Sequence, residues 1–122
     1  MLTRYVTSRD GIEWTWHGTA LAPSDGTWDA RGARVTAVLP SAAYYDGRAS
    51  KDENFHERTG LATGIATGEP ATAKLRADAE RPIADVRYVD AVPEPGGGLR
   101  LFYEAPRADG ARELRTERLM AP

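Results

Sequence analysis

Residues 33–38 (Ala-Arg-Val-Thr-Ala-Val) are echoed by residues 86–92 (Val-Arg-Tyr-Val-Asp-Ala-Val), one residue longer, and Tyr44-Tyr45-Asp46 is echoed by Phe102-Tyr103-Glu104. A looser match links Arg58-Thr59-Gly60-Leu61-Ala62 with Arg112-Glu113-Leu114-Arg115. Each unit reads as an Arg-headed strand, a second strand ending in an aromatic and an acid, and a third strand with a central Leu. The spacing of about 55 residues fits a small sheet of three or four strands, and such units bury their faces by stacking on one another. A repeat of this kind is the signature of propeller blades, and the chain is expected to be a succession of them.

The punctuation between the echoes agrees. Short apolar or aromatic runs alternate with Gly, Pro and Asp, as strands alternate with turns. Strands are expected at 4–8, 13–17, 34–39, 42–46, 59–66, 86–92, 99–104 and 113–119. Turns are expected at Arg9-Asp10-Gly11, at Pro23-Ser24-Asp25-Gly26 and between Pro93 and Gly98. Trp14 and Trp16 fall on one face of the second run, with Trp14 as the packing residue of its hairpin. Only 71–80 has helical composition, and its apolar residues alternate with period two, as in an outer strand or an irregular crossing. The class read from this is all-β, in one domain.

Composition removes several functions. Sixteen basic and eighteen acidic residues leave a net charge of −2, which argues against nucleic acid as a partner because phosphate recognition needs a basic face. With no cysteine there is no disulfide, thiolate metal site or thiol nucleophile. His56 has no second metal-type ligand at suitable spacing and His17 is remote from it, so no metal and no cofactor are expected. Gly96-Gly97-Gly98 precedes a strand, whereas a phosphate loop opens a helix. No apolar run approaches the ~20 residues of a membrane span, and the first residues do not read as a signal peptide. The expectation is a soluble cytoplasmic domain without a membrane partner.

Ser8-Arg9-Asp10-Gly11-Ile12-Glu13-Trp14 resembles the Ser-x-Asp-Gly-x-x-Trp hairpin between outer blade strands of five-bladed propeller glycosidases, the broad group of glycoside hydrolase families 32 and 43. The segment from Trp28-Asp29 to Gly47-Arg48 is similar to a following blade, and that from Arg87-Tyr88 to Glu113-Leu114 to a last one. The resemblance implies a partial β-propeller of about 2.5 four-stranded blades: a half blade at 1–27, a blade at 28–80 and a last blade at 81–122. A partial ring leaves open edges and a bare face, so completion by a homo-oligomer or by missing N-terminal blades is expected.

By the same resemblance the ligand is a carbohydrate. Glycoside hydrolysis needs two carboxylates flanking the scissile bond, and Asp29 and Asp46 are the candidate catalytic pair in a central funnel. The alternative is that Asp29 caps a turn and Asp46 makes an Asx turn with Gly47. Arg34 and Arg87 head matched inner strands, where they orient the sugar or salt-bridge the blades through Asp85, Asp46 or Glu104. Arg48, His56, Glu57 and Glu104 complete the candidate binding set, and Phe55 offers a stacking platform. Most of the family's carboxylates belong to blades outside this sequence, and no Glu-Gly-Pro or Glu-Cys-Pro segment is present. The isolated chain is therefore expected to be inactive, with hydrolysis reserved for an assembled form. The competing reading is a non-catalytic carbohydrate-binding or assembly module.

Overall fold

The computed structural model describes residues 1–40, 42–64, 76–77 and 81–120. These residues are all-β, in three antiparallel sheets taken in chain order. The first sheet is a hairpin of β1 (Thr3–Thr7) and β2 (Thr15–Leu21). The second runs in sequence order through β3 (Gly32–Val38), β4 (Ala42–Arg48), β5 (Arg58–Thr63) and β6 (Arg76–Ala77). The third contains β7 (Arg87–Pro93), β8 (Leu99–Pro106) and β9 (Arg112–Leu119). Of the ambiguous segment 71–80, only the backbone of Arg76–Ala77 falls among the described residues, as a strand paired to β5.

The local sequence explains the elements. The β1–β2 turn is held by Asp10, whose carboxylate accepts from the amides of Ile12 and Glu13, while the Ser8 hydroxyl oxygen accepts from Gly11. This self-contained network delays the return strand, so β2 starts at Thr15 and not at residue 13. Trp14 does not pack the hairpin as expected. It is 60% exposed, and Trp16 63%.

The core lies between the first two sheets, where Leu21, Ala33, Tyr45 and Ala62 are buried against Trp28 and Val35. The Trp28 and Tyr45 rings stack at 5.5 Å. Gly47 and Gly60 make room for them: a methyl at Gly60 would sit 2.6 Å from the Tyr45 ring, and one at Gly47 2.5 Å from Trp28. Side chains alternate across a strand, so Tyr45 faces the first sheet while Tyr44 and Asp46 face the third. Tyr44 and Thr59 line a cavity of about 260 Å³ together with Val89, Leu101 and Tyr103 of the third sheet.

Pairing carries the repeat further than the letters do. Arg34 lies opposite Asp46, and Arg87 opposite Glu104. One residue beyond each Arg, the inner strand gains an extra residue against its partner: Val35 and Thr36 face Tyr45, and Tyr88 and Val89 face Tyr103. The two runs thus align without a gap, and the extra residue of the second echo is only its end. A bulge leaves a backbone group outside the ladder, and in both places a side chain from the preceding sheet takes it. The Thr3 hydroxyl oxygen accepts from the Val35 amide at 2.9 Å, and the Asp46 carboxylate from the Tyr88 amide at 3.0 Å. The looser match needs a correction. Arg58 pairs with Gly47 and Glu113 with Ala105, so Arg58 corresponds to Glu113, and Leu61 to Thr116, not to Leu114.

Candidate functional site

Where β3 and β7 approach each other, the two Arg-headed strands bring together Arg34, Asp46, Glu57, Arg87 and Glu104 around a residue that the sequence did not single out, Tyr88. Arg34 Nη2 donates to Asp46 Oδ2 at 2.9 Å. Arg87 Nε donates to Glu104 Oε2 at 2.8 Å, and its Nη1 to the Phe55 carbonyl at 2.5 Å. Glu57 Oε2 stands 3.5 Å from Arg87 Nη1. The guanidinium carbons of Arg34 and Arg87 lie 5.0 and 4.7 Å from the centre of the Tyr88 ring, within cation–π range.

The backbone here is strained. Tyr88 has φ +56° and Phe55 φ +71°, the two non-glycine residues with positive φ among those described. Such a conformation costs about 1–3 kcal/mol and persists only where surrounding contacts enforce it, most often at functional sites. At Tyr88 the enforcing contact is Asp46, both of whose oxygens accept from its amide. At Phe55 the carbonyl is held by Arg87.

Electrostatics divide the acids by role. Asp46 has no exposed surface. Burial pushes its carboxyl above the usual range, Glu57 adds to that push, and the Arg34 guanidinium and Tyr88 amide oppose it. With its oxygens engaged by Arg34 and Tyr88, Asp46 braces the joint between sheets. Burial works against the charge of Arg34, but its bonds to Asp46 and Tyr88 carry its pKa above the ordinary value. Glu57 is different: it is 5% exposed, and its Oε2 has no hydrogen-bond partner. Its charge is met by the Arg87 guanidinium, as an ion pair at 3.5 Å.

The remaining candidates lie elsewhere. Asp29 is buried on the opposite face of β4, where it accepts from the Tyr45 hydroxyl at 2.9 Å, the Thr27 hydroxyl at 2.5 Å and the Ser24 amide. It caps the loop before β3 and does not converge with Asp46. Arg48 donates to the Asn54 side chain and so ties down the 48–58 loop. His56 is exposed and gives its amide to the Glu53 carbonyl. Among the described residues no group of three His, Asp or Glu side chains could hold a metal ion. Tyr88 had one signal in the sequence, its place directly after a repeated Arg, but nothing in the letters announced a bulge there. Comparison with protein-family models, curated proteins and solved structures finds no match to this chain.

Proposed function

We propose that the chain is a non-catalytic carbohydrate-binding module, built as an incomplete propeller, whose ligand contacts Arg34 and Tyr88. The observation that carries this reading is the exposed Tyr88 ring between two guanidiniums, beside an Arg34 whose side chain is 41% exposed. A sugar hydroxyl can accept from Arg34, which has five N–H donors and gives one nitrogen to Asp46, while a C–H face of the sugar packs on the Tyr88 ring. Three acids (Asp46, Glu57, Glu104) against two cations (Arg34, Arg87) favour a neutral polyol over a phosphate. Hydrolysis is supported less well, because Asp29 and Asp46 occupy opposite faces of β4 and both are consumed by internal bonds. The repeated bulges and matched Arg–acid pairs support successive blades.

The test is an NMR titration of the amide resonances with a panel of neutral and acidic saccharides. A neutral sugar should shift Phe55 and Tyr88 saturably, and Arg34→Ala should weaken binding about tenfold, the worth of one charge-assisted hydrogen bond. If no saccharide moves these amides, the reading fails. Turnover of aryl-glycosides would restore hydrolysis in its place.

A further inference from the structure

The stack has two open ends. In the third sheet, Phe102 pairs with Asp90 and Thr116, and Leu114 with Glu104, so these residues share the face turned away from the second sheet. Phe102 is 38% exposed, Leu114 75%, and Val92, paired with Arg100 on the same side, 45%. In the first sheet, Trp16 lies opposite Val6 and under the Arg4 guanidinium, with both apolar side chains exposed. Aromatic and aliphatic anchors in a contiguous exposed patch mark an interaction surface.

The repeat says what kind of surface covers the third sheet. By register, Phe102 holds the place of Tyr44 and Glu104 the place of Asp46. Tyr44 is covered by the next sheet in the chain, and Asp46 takes the bulge amide of that sheet's first strand. The open face therefore continues an interface the molecule already makes twice, and its occupant is another sheet with a bulged strand. The chain owns a sheet of that description. The first sheet has an open aromatic face, and its β2 carries two extra residues against β1, at the register shifts opposite Thr3/Arg4 and Tyr5/Val6.

From this we infer that a second copy of the chain docks head to tail, the first sheet of one copy covering the Phe102 face of the other. Each copy then presents both surfaces, and two copies close on each other when the rotation permits, with further copies adding when it does not. The inference does not rest on carbohydrate binding. It concerns the ends of the stack, whereas Tyr88 and Arg34 lie at the joint between the second and third sheets.

Light scattering after size exclusion tests it, with folding checked by circular dichroism. The wild-type chain should run as a dimer or larger species at about 100 μM, a concentration that captures micromolar contacts. Phe102→Glu and Trp16→Glu should each run as folded monomers. Their equimolar mixture should form a one-to-one complex, because one variant retains the first-sheet surface and the other the third-sheet surface. Leu114→Arg, on a highly exposed side chain, replaces Phe102→Glu if that variant fails to fold. A monomeric wild type at this concentration overturns the inference. So does a Trp16→Glu variant that still dimerises, since that would mean the Phe102 faces meet each other.

Discussion

Asp46 is the residue on which most depends. Its two oxygens serve Arg34 from the same sheet and the Tyr88 amide from the next. Replacing it with Ala leaves a buried amide without an acceptor and a guanidinium without its counter-charge, at a cost of about 2–4 kcal/mol. Asp46→Asn retains an acceptor and should lose about half as much. Urea unfolding of the two variants beside the wild type checks the order. Individual residues were legible in uneven measure. The echo gives Arg34 and Arg87 matched places but leaves open whether they meet a sugar or bridge blades through Asp85, Asp46 or Glu104. The pairs that form, with Asp46 and Glu104, lie within single sheets. The use of Asp46 to hold Tyr88 did not follow, since it depends on how one sheet lies on another. Asp29 reads either as a funnel carboxylate or as a turn cap, and its bonds to the Ser24 amide and the hydroxyls of Thr27 and Tyr45 make it the cap.

At the level of the element, strand positions were readable because turn residues punctuate the sequence, and the eight expected strands all appear with shifted ends. Bulges were not readable. An extra residue leaves no mark in an alternating pattern that is already imperfect, and both inner strands bend at Val35–Thr36 and Tyr88–Val89 without a glycine. The glycines matter on the middle strands instead. Gly60 on β5 faces Tyr45 and Trp28, and the 2.6 Å approach of an added methyl exceeds what a packed interior tolerates. Gly60→Ala should therefore destabilise the protein by about 1–3 kcal/mol through overpacking. Alanine at Gly96, where nothing lies within 4 Å of the added methyl, carries only the cost of its positive φ, and comparing the two by thermal melting separates crowding from backbone strain.

Across the whole molecule, the all-β class and the succession of small sheets were legible, because a repeat longer than a hairpin and rich in turns admits few other arrangements. Closure of a ring was not legible, because it depends on what meets the end faces. The sheets communicate through Tyr45 as well as through Asp46. Burial raises the Tyr45 phenol above its ordinary pKa, and its bond to Asp29 adds to the effect. A raised phenol binds its proton more tightly when folded, so its share of stability is intact below about pH 10 and falls as pH rises beyond the unfolded value. Phenolate absorbance should show Tyr45 ionising only with global unfolding, and Tyr45→Phe should flatten the alkaline loss of stability.

The joint between the second and third sheets is fastened twice at residue 88, by its backbone amide to Asp46 and by its ring to Arg34. The corresponding position in the second sheet carries Val35, joined to Thr3 by its amide. Asn or Gly at residue 88 would relieve the left-handed strain and keep the amide for Asp46, but would surrender the ring that Arg34 and Arg87 share. The site thus trades backbone ease for a hold between two charges.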